Sequence, residues 1–510
     1  MTATTADAAE PEAATSDAAE AGSPIADRFP VWLTLGFAAL SLAGVLHHEM
    51  WRDEVHTWLL ALHCATLNDL RLAVQVDGHG PAWYLITWVA ARLVAAPETM
   101  QIIHWLFAVA GVAWVVRYAP FSRLQRLLFC GGYFVIFEYC LLARNYVVTF
   151  YLIIAAAALL VRRGRSFWLS AALLCVLGQW NIYAWLYAVG LAPLLLWRCR
   201  DELRRAPRLG PILTAVAWIG LMAVSLTIHL PDQVAYYSPP TYTGFHPDRL
   251  AYILRLIGQM LVPIPVPSLN FWGSSILPDP VLLALGGLSL PVAALLLRRQ
   301  PLALLYLACG VGGFVAIEYA KHLGALRHVG LVYAFVVGAA WIVLARPETS
   351  DASRRLVGRL FTTLLALHVA AGGYALVQDI RLPFSGGKQA AQIIAAANHQ
   401  DSPWVADFPY LTDPIMLYGQ HAIYLPRKQS LSYWSVYDQT MLPLTVDELV
   451  QACRERMAES GGDAVLIMSS GRANELVERN YEGLYIFPIG QTKAAIQQDE
   501  FFLIYVVSRM

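Results

Sequence analysis

Two adjacent carboxylates, Asp53 and Glu54, follow Trp51 and Arg52 directly after the first long apolar run, 31–46. A run of that length crosses a bilayer when tilted, which puts both acids at its mouth. Ionisable groups at that depth are costly beside hydrocarbon, so function is the first explanation to test. A carboxylate there suits removal of a proton from a hydroxyl. Arg144, in Ala143-Arg144-Asn145-Tyr146, lies between two apolar runs. Its guanidinium suits phosphate, which it grips with paired hydrogen bonds. His79 and the cluster Lys321, His322 and Arg327 add further candidates for holding an anion. Asn181, Tyr183 and His246 are candidates for a sugar or acceptor, because amides and aromatic faces suit sugars.

Plainer roles stand beside each of these. Asp53 and Glu54 also suit pairing with Arg52 and capping the helix that follows. His79, next to glycine and proline, suits a turn. The 321–327 cations suit lipid headgroups, and the aromatics around 183 suit an interfacial belt. Glu138 and Glu318 are the candidate acid partners of Arg144.

The elements that position these residues are membrane helices. The chain is 57% hydrophobic and only 14% charged, with a mean hydropathy of +0.50, too few charges for a soluble surface. Its net charge is zero, so charge names no nucleic-acid partner. Arginines cluster at 117–126, 162–165, 198–205, 298–299 and 354–359, each group between apolar runs. The positive-inside rule puts all five in the cytoplasm. The N-terminus is then inside, and crossings fall at roughly 31–46, 101–116, 126–142, 146–161, 167–180, 182–197, 211–230, 281–297, 301–318, 328–345 and 357–378. That is about eleven helices. The apolar stretch 81–96 must be re-entrant or interfacial, since a full crossing would invert every later loop.

The expected organisation is a disordered cytoplasmic tail over 1–30, a transmembrane catalytic domain over 31–378 with structured external loops at 47–100 and 231–280, and an extracytoplasmic α/β domain over 379–510. In that last region apolar runs shorten to strand length at 404–406, 464–468 and 501–507. No GxGxxG or P-loop supports nucleotide binding. No cysteines show metal-ligand spacing, and pairing of Cys64 with Cys453 is left open. No cofactor is expected, and a divalent metal stays open.

In order, Asp53-Glu54 after a first membrane helix, His79-Gly80-Pro81-Ala82-Trp83-Tyr84, and Ala143-Arg144-Asn145-Tyr146 at the head of a helix resemble the GT-C superfamily of membrane glycosyltransferases. The likeness is to protein O-mannosyltransferase-like and aminoarabinose-transferase-like enzymes, and it covers roughly 31–200. It implies a polyprenyl-phosphate-linked sugar donor and transfer to a hydroxyl on the extracytoplasmic face, with inversion. It makes Asp53 the general base beside Glu54, and it makes Arg144 and His79, with Lys321, His322 or Arg327, the holders of the donor phosphate. The acceptor, whether glycan, lipid or protein, is open. A multi-pass protein of a bacterial inner or plasma membrane, in contact with membrane lipids, follows from the same likeness. A transporter or lipid flippase is the alternative class, although no internal repeat is apparent and the ionisable residues gather at one face.

Overall fold

The computed structural model describes residues 28–510 except 78, 163–166, 206, 231–240, 470 and 478–480. Most of the expected N-terminal tail, part of the 162–165 basic cluster and the start of the 231–280 loop therefore lie outside the described residues. The chain is a helical membrane protein carrying a mixed sheet near its C-terminus.

The first helices are α1 (Phe29–His47), α2 (Arg52–His63), α3 (Leu67–Val74), α4 (Pro81–Leu93), α5 (Glu98–Tyr118) and α6 (Arg123–Cys130). The next are α7 (Tyr146–Val161), α8 (Phe167–Leu177), α9 (Ile182–Arg198), α10 (Arg200–Arg205) and α11 (Leu209–His229). The set closes with α12 (Pro247–Leu261), α13 (Asp279–Leu297), α14 (Pro301–Ala320), α15 (Leu326–Ala345) and α16 (Asp351–Arg381). Seven of these, α1, α5, α11 and α13 to α16, are long and apolar enough to cross a bilayer, and α7, α8 and α9 are shorter apolar helices. At 13 residues, α4 reaches only about 20 Å, short of the roughly 30 Å hydrocarbon thickness.

Apolar on every side, α15 is buried on every side, as such a helix must be. It packs on α7, α12, α14 and α16. Helices α12 and α13 meet at Gly258 and Gly286, where a Cβ at either would collide with carbonyl oxygen of the partner helix. Small residues allow that backbone approach.

One expected crossing is corrected. Residues 126–142 do not form a single helix: Ser122 caps α6 through the Gln125 N–H, the helix stops at Gly131, and a π-helical turn over Phe134–Glu138 follows. Gly132, without a side chain, sits at the break. An unwound segment is tolerated at that depth only when buried in protein, and 133–147 is buried throughout. It carries Ala143 and Arg144.

Beyond α16 come α17 (Gly387–Ala396), α18 (Asp413–Gly419), α19 (Val446–Ser460) and α20 (Ala473–Val477). The strands are β1 (Trp404–Ala406), β2 (Ile423–Leu425), β3 (Ser430–Ser432), β4 (Ala464–Ser469), β5 (Leu484–Gln491) and β6 (Phe502–Arg509). The sheet runs β3-β2-β1-β4-β6-β5, parallel where β1 meets β2 and β4 and antiparallel elsewhere. This unit is seated on α2 through α18. Cys64 and Cys453 are both buried free thiols, so the open disulfide is not formed.

Candidate active site

The acid pair and Arg144 are docked on one another. Trp51 is the N-cap of α2, and Glu54 at the third helical position accepts its backbone N–H. The other Glu54 oxygen accepts the Ala143 N–H at 2.5 Å. One residue along, Arg144 Nη1 donates to the Asp53 carbonyl at 2.7 Å and reaches the Asp53 carboxylate at 3.1 Å. Residues 53–54 thus grip 143–144 by two adjacent contacts, which is the physical content of the two motifs occurring together.

Three guanidiniums surround the single Asp53 carboxylate: Arg144 at 3.1 Å, Arg327 at 3.7 Å and Arg52 at 3.8 Å. Arg144 and Arg327 also lie over the buried Trp51 ring, which keeps water from their faces. Burial works against the Asp53 charge, but these cations, Arg144 first, hold its pKa below the usual carboxylate value. Arg52 is further matched by Asp499 and Glu500, and burial raises Glu500 to about 7.

A cavity of about 820 Å³ opens here. Its polar lining comes from Arg52, Asp53, His56, Asp77, His79, Arg144, Lys321, His322, Arg327 and Tyr437, and its apolar lining from Ile182, Leu186, Leu230, Ala316 and Ile317. Asn181, Tyr183 and Trp185 lie along it. Asn181 caps α9 through the Ala184 N–H, and Tyr183 donates to Glu318. Glu318 also accepts the Gly324 N–H, fixing the loop that carries Lys321 and His322. Among the described residues no group of three or more His, Cys, Asp or Glu is placed to hold a metal.

Three expectations change. Glu54 is buried and does not line the cavity; it caps α2, binds Ala143 and meets His48 Nε2 at 2.9 Å, so it cannot reach an acceptor. His246 occupies the N-cap position of α12, meets Tyr242 edge-on and Tyr319 at a tilt, and lies outside the cavity. The partner of Arg144 is Asp53, whereas Glu138 binds Tyr133 and Trp272, and Glu318 binds Tyr183. His79 lines the cavity beside Arg144, but burial and that guanidinium lower its pKa to about 4. It is therefore a neutral imidazole at pH 7, accepting from Arg144 at Nε2, so any hydrogen bond it gives comes from Nδ1. Its place depends on Gly80, where a Cβ would strike the Gln179 carbonyl at 2.4 Å.

The sequence reading did not single out the second acidic group. His56 is held between Asp77, at 3.0 Å, and Asp413 of α18, at 2.9 Å, and Tyr84 also donates to Asp77. These carboxylates raise His56 to about 10 against its burial, so it is an imidazolium tying α2 to the C-terminal unit. Tyr437 enters the cavity from that same unit.

No protein-family model and no curated protein matches the sequence. Among solved structures, the chain is similar to that of ArnT from Cupriavidus metallidurans bound to undecaprenyl phosphate, at 15% identity over 94% of this chain and 98% of that one, with a TM-score of 0.43. It is also similar to the same protein in the apo state, at 14% identity over 93% and 98%, with a TM-score of 0.40.

Proposed function

We propose that this protein transfers a sugar from a polyprenyl-phosphate donor to an acceptor hydroxyl at the polar lining of the cavity. The observation that carries the reading is the excess of guanidinium over carboxylate around Asp53, in a cavity that also has an apolar lining. An amphiphile with an anionic head and a hydrocarbon tail fits both parts.

In this reading Arg144, Arg327 and Lys321 hold the donor phosphate, and the isoprenoid lies along Leu186, Leu230, Ala316 and Ile317. His79 adds a neutral donor, and Asn181, Tyr183 and Tyr437 meet the sugar or the acceptor. The acceptor oxygen attacks the anomeric carbon as its proton passes to Asp53. The bond from that carbon to the phosphate oxygen breaks, and the phosphate departs with the electron pair, its charge met by the arginines. A single displacement inverts the anomeric centre. Donor binding also tunes the base: when phosphate engages Arg144 and Arg327, Asp53 shares its cations and gains proton affinity. The cavity face is extracytoplasmic, the N-terminus cytoplasmic.

The test is transfer from a radiolabelled polyprenyl-phosphate sugar in proteoliposomes. Release of free polyprenyl phosphate coupled to a glycosylated acceptor is expected. Movement of the intact lipid between leaflets with no sugar released would replace this reading with a flippase.

A further inference from the structure

A second cavity, of about 450 Å³, lies at the opposite end of α9 from the candidate active site. The site uses the start of α9, at Ile182 to Leu186, whereas this cavity uses its end, at Ala192, Leu195 and Leu196. Twelve residues of helix from Tyr183 to Leu195 separate the two by about 18 Å. Its other walls are the start of α8 and the first half of α11, from Pro211 to Trp218, almost entirely apolar.

The groove exists because α11 is fastened at one end only. Its buried residues are Met222, Ser225 and His229, all in the second half. Ser225 Oγ donates to the Gly178 carbonyl at 3.0 Å, and Trp185 Nε1 donates to the Met222 carbonyl at 2.9 Å. The first half has no buried residue, its first turn meeting α8 at Trp168, and the space it shares with α8 and α9 is of ligand-pocket size, within the usual range of roughly 300–1,000 Å³. Charge sets the mouth of the groove apart: Leu203 of α10 lines it, and that helix carries Arg200, Arg204 and Arg205 against Asp201 and Glu202, whereas Arg198 is taken up by the Leu160 and Arg162 carbonyls. Arg208 itself lines the groove, and Glu202 is occupied by the Phe167 N–H at 3.1 Å.

We infer that this groove holds an acyl chain of an anionic glycerophospholipid from the leaflet opposite the active site, with the phosphate at Arg208 and the arginines of α10. A basic rim over an apolar slot between membrane helices suits that class of lipid, and a zwitterionic headgroup gains less from the same rim. The inference does not depend on sugar transfer, because α8, α10 and the first half of α11 take no part in the reaction.

The experiment uses the full chain in nanodiscs containing equal dioleoyl phosphatidylglycerol and dioleoyl phosphatidylcholine, followed by release into mild detergent and native mass spectrometry. Phosphatidylglycerol should be retained about tenfold or more over phosphatidylcholine. Ala215→Trp, which fills the groove, should abolish that retention, and Arg205→Gln with Arg208→Gln should bring the two lipids towards parity. In parallel, phosphatidylglycerol bearing a photoreactive acyl chain should label 167–174 and 211–218 of the wild-type protein. Retention in the bulk ratio, or labelling spread evenly over the lipid-facing helices, would overturn the inference. The labelling decides the matter if Ala215→Trp does not fold.

Discussion

Glu54→Gln separates a structural acid from a chemical one. The Glu54 carboxylate accepts from three donors: the Ala143 N–H at 2.5 Å, the Trp51 N–H at 3.3 Å and His48 Nε2 at 2.9 Å. His48 is fully buried between Glu54 and Asp379, and these acids raise its pKa against burial, so both ring nitrogens carry protons at neutral pH. A glutamine offers one oxygen and one NH2. Turned either way, its NH2 faces a donor: the Ala143 N–H in one orientation, the imidazolium and Trp51 in the other. One donor is left unsatisfied, at about 1–3 kcal/mol, and a charge-assisted bond worth about 1.5–3 kcal/mol is lost. The sum, about 2.5–6 kcal/mol, brackets the roughly 3–5 kcal/mol cost of breaking a buried ion pair. The unfolding midpoint in detergent should fall by on the order of 5–10 °C. Turnover per folded molecule should fall mainly through weaker donor binding, as the 143–144 segment loosens, with the shape of the pH profile kept. An unchanged midpoint together with a hundredfold or greater loss of turnover would refute this account and return Glu54 to proton transfer.

Asp53→Asn should cut turnover by about a hundredfold to ten-thousandfold while donor binding is kept or strengthened, since the amide no longer competes with phosphate for Arg144; tritiated donor retained on the variant, alongside product formation, checks both. Arg144→Ala should weaken binding of the donor phosphate by about 1.5–3 kcal/mol in an equilibrium assay. Because the folded pKa of His56, about 10, exceeds its unfolded value, its contribution to stability is full below about pH 6.5 and is lost as pH rises through 10. Unfolding midpoints of wild type should decline across that window by more than those of His56→Gln, and parallel curves would rule the His56 clamp out. Asp499→Cys and Arg204→Cys, both on exposed side chains, should react with an impermeant thiol reagent from opposite sides of sealed vesicles.

Much of the helical scaffold was legible because long apolar runs have few alternatives. The boundaries of α7 and α9 follow directly from Asn145 and Asn181, polar residues standing just before uninterrupted apolar stretches. The break within 126–142 was not, because apolar composition is the same whether a segment is wound or unwound; the pair Gly131-Gly132 was the available signal. Arg144, Arg327, Lys321 and Asp53 stood out as charges against hydrocarbon-like surroundings. Asp77, Asp413 and Tyr437 lie outside the long apolar runs and carry no such contrast, and Asp413 is 357 positions from His56. The depth of Glu54 was misread because adjacent residues on a helix point about 100° apart, so only one of the two acids faces the cavity.

Arg52 donates its backbone N–H to Glu500 at 3.1 Å, a contact spanning 448 positions. During synthesis at about 5–20 residues per second, the first membrane helix has been made for roughly 20 to 90 seconds before that partner emerges. Until then the guanidinium of Arg52 has no match in Asp499 or Glu500 and competes for Asp53. Chains that stall or are clipped ahead of Asp499 would therefore keep Arg52 without those two partners beside Asp53 while holding most of their membrane helices.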